Sequence, residues 1–213
     1  MPPLKRIHNI TGEKLDDDAI EFIKQPEGWL HNEGGRPCIM STSLIECRVM
    51  GVLHHDNGPA RVTDELTAEW YNHGRLHSQG WYFAKAKVTP QEQLFEWYTD
   101  GLLNSHEDYP ARIHLKGTTV LCEWYRNGLQ HRDRYPAYLL YDGQVLKEFR
   151  FYSGGQLHHD EHVAVGVRQD DGSYRGEYWL HGQRYTAEEF RKARSIVRRR
   201  VTVEEDKEVD VVD

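Results

Sequence analysis

The sequence predicts an all-β repeat protein, an elongated antiparallel meander of tandem β-hairpins with a short N-terminal helix and a C-terminal capping helix. Three observations support this fold class. Glycines recur at a constant interval, residues before each glycine alternate with a period of two, and the apolar fraction of 38% is too small for a thick core. The period of two and the frequent glycines argue against helical repeats.

The turn glycines define the repeat. Five of them follow one another at intervals of 27 residues, and two more precede these in steps of 23. The seven turn glycines are Gly28, Gly51, Gly74, Gly101, Gly128, Gly155 and Gly182. Glycine readily adopts the positive φ of a tight hairpin turn. Tandem hairpins are therefore predicted over residues 28–185.

The residues around each glycine repeat as well. Three copies read Glu-Trp-Tyr just before the turn, as in residues 96–98. Five copies carry a histidine three residues after the glycine, namely His31, His54, His77, His131 and His158. A Pro-Ala pair follows in several copies, at 59–60, 110–111 and 136–137. It opens a second short strand, where proline needs no ladder donor.

The combined motif resembles the MORN-variant repeats, especially the YwqK-like and viral form W-Y-x-N-G-x-x-H-R-x-D-G-P-A. The most similar copies are residues 51–60 and 124–137, and the resemblance covers roughly residues 28–190. This sequence departs in its shorter N-terminal spacing and in the G-P-A glycine, which only one copy keeps. The resemblance implies an elongated β-repeat scaffold without shared catalysis. Such repeats occur in phages, giant DNA viruses and antitoxin-like proteins, and act through protein or lipid contacts.

The ends of the array are predicted to be capped. Residues 1–27 form an N-terminal cap, in which 14–25 have the apolar spacing of a short amphipathic helix. At the other end, Thr186 and Glu189 form a capping box that opens a helix over 186–200. Residues 201–213 are an acidic tail that is predicted to be disordered.

Composition indicates the solubility of the protein and the cellular compartment in which it works. The formal charge of −7 favours solubility and disfavours general nucleic-acid binding. Neither a signal peptide nor a transmembrane segment is predicted, because the chain has no sufficiently long apolar stretch. The three cysteines form no C-x-x-C pair, which indicates a reducing compartment. The predicted localisation is cytoplasmic.

No catalytic group, metal or cofactor is predicted. The sequence has 13 histidines, but those at the repeat position should point in parallel from neighbouring units and not converge on an ion. Four of them are followed two residues later by an acidic residue, Glu33, Asp56, Asp133 or Asp160. This spacing predicts a local imidazole–carboxylate hydrogen bond that shapes the turn. Residues 158–162 are the densest histidine cluster, and no nucleophile or phosphate-binding motif occurs.

Alternation before each glycine separates two strand faces. One carries mainly tryptophan and phenylalanine, including Trp70, Trp97, Trp124 and Phe151, and is predicted to be buried. The other is a predicted partner-binding face of Tyr71, Tyr98, Tyr125, Tyr152, Glu69, Glu96 and Glu123. Tyrosine favours recognition surfaces, and the glutamates favour a basic partner. The alternative is that these tyrosines stack across strands and stiffen the sheet.

The first hypothesis is a non-enzymatic scaffold that binds another protein. The family context suggests an inhibitor or neutraliser of a bacterial or host factor, in a phage anti-defence or antitoxin-like role. The second hypothesis is nucleic-acid engagement, either by acidic mimicry of DNA or through Arg194, Arg198, Arg199 and Arg200. A third is membrane association, as in some MORN-bearing proteins, although the negative charge opposes anionic lipid. Exposed end strands would also allow a homodimer.

Overall fold

The structure is a computed structural model that describes residues 20–21, 37–63, 66–78 and 80–194. Apart from one helix, α1, over residues 187–194, the regular structure of these ranges is β. The predicted antiparallel meander of hairpins and the C-terminal helix are therefore confirmed. The chain divides into two compact units, one up to Gly128 and one from Leu129 onward.

The first unit contains a main antiparallel sheet and small two-stranded hairpins. Its strands are β1 (Ile20–Glu21), β2 (Ile39–Met40), β3 (Leu44–Glu46), β4 (Arg48–Val49), β5 (Val52–Leu53), β6 (Arg61–Thr63), β7 (Thr67–Glu69), β8 (Tyr71–Asn72), β9 (Arg75–Leu76), β10 (Lys85–Val88), β11 (Glu92–Glu96), β12 (Tyr98–Thr99), β13 (Leu102–Leu103), β14 (Arg112–Lys116), β15 (Thr119–Glu123) and β16 (Tyr125–Arg126). The main sheet has the order β1-β2-β3-β6-β7-β10-β11-β14-β15. The pairs β4-β5, β8-β9 and β12-β13 are the small hairpins.

The second unit repeats this plan. Its strands are β17 (Leu129–Gln130), β18 (Tyr138–Asp142), β19 (Val145–Arg150), β20 (Tyr152–Ser153), β21 (Gln156–Leu157), β22 (Val165–Arg168), β23 (Tyr174–Leu180) and β24 (Gln183–Tyr185). The sheet runs β18-β19-β22-β23-β24, and β20-β21 is the small hairpin. Hairpins of the main sheet thus alternate along the chain with small hairpins, whose strands are two residues long and whose turns contain the repeated glycine.

The repeated glycines occupy the turns that their spacing predicts. From Gly51 to Gly182 their φ angles lie between 78° and 84°. The residue before each of them also has a positive φ, as at Asp100 with 50° and Asn127 with 51°. Positive φ at both central residues is the requirement of a type I′ hairpin turn. The predicted turns are confirmed for these six glycines, and Gly28 lies outside the described residues.

Burial is strongest at small residues and not at the tryptophans. The alanine that follows each proline or its equivalent is fully buried; these are Ala60, Ala84, Ala111, Ala137 and Ala164. On the face predicted to be buried, Trp124 is 6% exposed, whereas Trp70 and Trp97 are half-buried. The rings there cover one another in part, as Trp70 and Phe83 do at 5.3 Å. The prediction that these large rings form a buried layer therefore holds fully only for Trp124.

The predicted N-terminal helix is wrong where the structure can be compared with it. Ile20 and Glu21 form β1 and pair with Met40 and Ile39 of β2. The rest of residues 14–25 lies outside the described ranges. Pairing with β1 satisfies backbone N–H and C=O groups at the edge of β2, which would lack these partners if the segment were a helix. The β-branched residue Ile20 also has a high strand propensity. Strand pairing in the folded protein therefore outweighs the helix-like spacing of apolar residues at this position.

The C-terminal cap is as predicted over the described residues, whereas residues 195–200 of the predicted helix and the predicted tail over 201–213 lie outside them. The backbone N–H of Thr186 donates to Glu189 Oε2 at 2.8 Å, and the N–H of Glu189 donates to Thr186 Oγ1 at 3.3 Å. These reciprocal bonds form a capping box. Phe190 of α1 is buried against the ring of Tyr178 in β23, at 4.8 Å between centroids. Within the described part of the chain, no helix has the length and apolarity of a membrane span.

Candidate binding surface

The glutamates of the predicted partner-binding face are buried. These glutamates end strands of the first unit at the same repeat position, with exposed fractions of 8% for Glu69, 4% for Glu96 and 7% for Glu123. Glu46 stands at this position in an earlier copy, was not part of the predicted face, and is 4% exposed. Burying a carboxylate is unfavourable unless it is paired and hydrogen-bonded. The structure must therefore supply cations to this row, and it does so from the neighbouring strands.

Arg112 is the clearest of these cations. It lies opposite both Glu96 and Glu123 in the strand register, because β14 pairs with β11 on one side and β15 on the other. Its Nε donates to Glu96 at 2.6 Å and its Nη1 to Glu123 at 3.0 Å. Burial lowers the pKa of this guanidinium, but hydrogen bonds and charge from the two glutamates outweigh it and raise the pKa above its ordinary value.

The same arrangement recurs earlier in the sheet. Arg61 lies opposite Glu46 and Glu69, with nitrogen–oxygen distances of 3.5 and 3.8 Å. Lys85 adds a contact of 3.2 Å to Glu69. All three cations directly follow the buried alanine of their repeat. Each buried glutamate of the first unit therefore faces a cation from an adjacent strand.

The tyrosines complete this network. The hydroxyl groups of Tyr71, Tyr98 and Tyr125 donate to the glutamate two residues earlier, at 3.2, 3.2 and 3.3 Å. Burial, followed by the charge of that glutamate, raises the pKa of Tyr71 and of Tyr98 to about 12. Burial likewise raises the pKa of Tyr125. These phenols stay protonated at neutral pH, so they act as hydrogen-bond donors.

Tyr152 of the second unit departs from the pattern. Arg150 stands at the position of the glutamate, and it pairs with Glu148 through its Nε at 2.5 Å. The predicted face thus combines half-buried tyrosine rings with carboxylates that are already neutralised. Contact between a partner and the tyrosines Tyr71, Tyr98, Tyr125 and Tyr152 stays a prediction. The three glutamates of the predicted face form ion pairs with cations of adjacent strands within the sheet.

The repeat histidines join consecutive hairpins. His54 Nδ1 accepts the backbone N–H of His73 at 3.2 Å, and His131 Nδ1 accepts that of Gly154 at 3.1 Å. His77 and His158 accept the equivalent N–H of the next turn at 3.2 Å, and Asn104 does so through Oδ1 at 3.0 Å. An imidazole nitrogen that accepts carries no proton, so the proton lies on Nε2.

The predicted imidazole–carboxylate bonds are present. His54 Nε2 lies 3.0 Å from Asp56, His131 Nε2 lies 3.0 Å from Asp133, and His158 Nε2 lies 3.1 Å from Asp160. Glu33 of the fourth predicted pair lies outside the described residues. Among the residues that the structure describes, no three histidines, cysteines or carboxylates are arranged to hold a metal ion.

The arginines predicted for nucleic-acid binding are only partly described. Arg194 Nη1 donates to the carbonyl of Glu161 at 3.1 Å, and its guanidinium lies 5.7 Å from the ring of Phe190. Arg194 therefore ties α1 to the loop that precedes β22. Arg198, Arg199 and Arg200 lie outside the described residues.

Sequence reasoning missed a set of exposed rings. Trp81, Tyr82 and Tyr109 in the first unit are 57%, 73% and 62% exposed, and Tyr135 in the second is 55% exposed. Each tyrosine directly precedes the X-Ala pair of its repeat, in Tyr-Phe-Ala or Tyr-Pro-Ala. That recurrence is the sequence signal that would have found them. Exposed large aromatics in ordered loops are typical of recognition sites.

Comparison with known proteins assigns no family. No family model matches the chain, and the search of curated proteins finds no significant match. The resemblance to the MORN-variant repeats accordingly remains an expectation that rests on the motif.

Proposed function

We propose that the chain is a non-enzymatic binding protein that captures another protein on its hairpin repeats. One contrast carries the proposal. The carboxylates, phenols and imidazoles at the repeat positions are hydrogen-bonded or ion-paired within the chain, whereas large aromatic side chains in the connecting loops stay exposed. Rings of this kind bury much area at little entropic cost when a partner binds.

The tyrosine row contributes to this proposal in a revised form. The rings of Tyr71, Tyr98 and Tyr125 are half-buried, and each is fixed by its bond to a buried glutamate. A side chain that is already ordered loses little entropy on binding. The row is thus a preorganised contact area, and the net charge of −7 favours a basic partner.

Inhibition or neutralisation of the captured bacterial or host protein is part of the proposal. The resemblance of the motif to phage and antitoxin-like repeats supports it. A cytoplasmic setting is supported by the three cysteines, none of which forms a disulfide in the structure. Two of them, Cys38 and Cys47, are buried, and burial, with the nearby Cys38 and Glu46, raises the pKa of Cys47. That thiol is accordingly a poor nucleophile.

A pull-down with the tagged chain in its native host, followed by binding assays with the purified partner, tests the function. Capture should be saturable, and the double substitution of Tyr98 and Tyr125 by alanine should weaken it by at least roughly tenfold, as expected for central aromatic contacts. The matched pair Tyr98→Phe and Tyr125→Phe keeps the rings and should retain most binding. If no purified candidate binds directly, the proposed function is wrong. If the alanine pair binds like wild type, the tyrosine row is only structural.

A further inference from the structure

Two successive loops of the first unit carry four exposed rings, three of which are in contact across the loops. Trp81 and Tyr82 precede β10, and His106 and Tyr109 precede β14. The ring centroids of Trp81 and His106 lie 4.3 Å apart, and those of Trp81 and Tyr109 lie 5.3 Å apart at an interplanar angle of 82°. We name these four residues the aromatic loop cluster. All four are exposed, and Trp81 contacts both His106 and Tyr109 across the two loops.

The two loops are held by the repeat itself. The indole N–H of Trp97 donates to the carbonyl of Trp81 at 3.0 Å, and that of Trp124 donates to the carbonyl of Asp108 at 2.9 Å. Both bonds span 16 residues, so they are equivalent in consecutive repeats. The backbone N–H of Tyr109 also donates to His106 at 3.1 Å. The cluster is therefore ordered before any partner arrives, which favours its use in binding.

The two loops themselves carry only negative formal charge. Residues 77–84 and 104–111 contain neither lysine nor arginine. Glu107 and Asp108, between the two rings of the second loop, are exposed. A cation over the face of tryptophan or tyrosine is attracted by the ring quadrupole, and a nearby carboxylate adds to that attraction. The rings are tilted against each other, and a flat platform for stacking sugars would need them coplanar.

The second unit shows which side chain fits such a ring. Tyr135 occupies the same repeat position as Tyr82 and Tyr109, immediately before the X-Ala pair. The guanidinium of Arg132 lies over its ring, 5.1 Å from the centroid. Counted back from the same X-Ala pair, His106 stands at the position of Arg132, so the loop of Tyr109 carries an imidazole there and no guanidinium. The chain thus provides its own arginine for Tyr135 and has no equivalent one in the loops of the cluster.

We propose that the aromatic loop cluster binds an arginine side chain from a basic segment of the partner protein. This inference rests on the proposed function and specifies the chemistry of the partner. The guanidinium takes the place over Tyr109 and Trp81 that Arg132 takes over Tyr135, and Glu107 provides the opposing charge. Arginine is favoured over lysine because its planar, weakly hydrated guanidinium stacks on rings.

Calorimetric titration of the full chain with capped peptides tests the inference. The probes are a peptide of alternating glycine and arginine, its lysine analogue and its neutral citrulline analogue. We expect the arginine peptide to bind most tightly, the lysine peptide more weakly and the citrulline peptide at least roughly tenfold more weakly. Equal affinity for the arginine and citrulline peptides would contradict the inference, as would tighter binding of a neutral oligosaccharide.

Variants locate the site. Trp81→Leu with Tyr109→Ser should weaken binding of the arginine peptide by roughly tenfold or more, and Glu107→Gln should weaken it and reduce its salt dependence. Tyr82→Ser, at the most exposed ring, gives a second test with little risk to folding, and it should weaken binding severalfold. Tyr135→Ser is the matched control and should bind like wild type. If binding survives the cluster variants and is lost in Tyr98→Ala with Tyr125→Ala, this inference fails while the proposed function stands.

Discussion

Replacement of Arg112 by alanine is expected to lower the free energy of unfolding by about 3 kcal/mol. The substitution leaves two carboxylates, Glu96 and Glu123, buried without the guanidinium that bridges them at 2.6 and 3.0 Å. Loss of one partner of a buried pair costs more than the pair contributes, because the remaining charge is not solvated. We place the value at the lower end of the usual range because the Arg112 side chain is 31% exposed. Denaturant unfolding measures it.

Two comparisons make this result specific. Arg112→Lys keeps the positive charge, but a lysine ammonium cannot bridge both carboxylates as the forked guanidinium does. An intermediate loss of unfolding free energy is therefore expected. Lys192→Ala breaks an ion pair of 2.8 Å with Glu188, in which both side chains are more than 70% exposed, and should cost no more than about 0.5 kcal/mol. If Arg112→Ala is as mild as Lys192→Ala, the glutamate row is not the buried frame described above.

Gly166→Ala is expected to destabilise the second unit by about 2 kcal/mol or more. A Cβ at this position would lie 2.2 Å from Cε1 and Cζ of the Phe149 ring. That ring is held on its other sides by Phe151, at 5.9 Å, and by Tyr174, at 5.6 Å. It cannot move away without losing contacts. The glycine is therefore required by the close approach of an aromatic ring from the paired strand β19.

A double-substitution cycle tests that explanation. Phe149→Leu removes the clashing ring, so Gly166→Ala should be less harmful in its presence, with a coupling energy of about 1 kcal/mol or more. Gly143→Ala is the control, since an added Cβ there meets nothing within 4 Å and only the positive φ of 58° opposes it. Its cost should be about 1 kcal/mol. Strictly additive effects of Phe149→Leu and Gly166→Ala would show that the ring does not dictate the glycine.

The hairpin turns could be predicted from sequence, because positive φ leaves a strong mark on residue choice. The burial of Glu96 could not, since period-two alternation separates two faces without saying which one is covered. The missing information lay on the next strand, where Arg112 follows the buried Ala111. Register brings those residues together, and register is set by turns that the alternation alone does not resolve.

The candidate surface was predicted only in part. Tyr98 is in the predicted row, but its hydroxyl is bonded to Glu96, and the most exposed rings are in the loops. Alignment of the repeats on the turn glycine places Tyr82 and Tyr109 together, but it displaces Tyr135 because the loop after Gly128 is one residue shorter, which hides the third member of the recurrence. Alignment on the X-Ala pair reveals it. Loop length, and not residue type, obscured the signal.

The central claim is that the polar side chains at the repeat positions join one hairpin to the next and leave the loop aromatics for a partner. His158 allows a direct test, since its Nδ1 accepts the N–H of His181 in the next turn. Burial is the main cause that lowers the pKa of His158 below 6.5, with a smaller contribution from His181, although Asp160 opposes the shift. The unfolded chain therefore takes up the proton first. The stability that this histidine contributes is complete above pH 6.5 and is lost as the pH falls below that value.

Nitrogen-15 NMR of the imidazoles across a pH titration is the measurement that tests this claim. At pH 7.5, the neutral rings of His54, His131 and His158 should each show the tautomer with an unprotonated Nδ1 and a protonated Nε2, and His158 should titrate below 6.5. Fast exchange between both tautomers at these three histidines, with His158 titrating at 6.5 or above, would contradict the account.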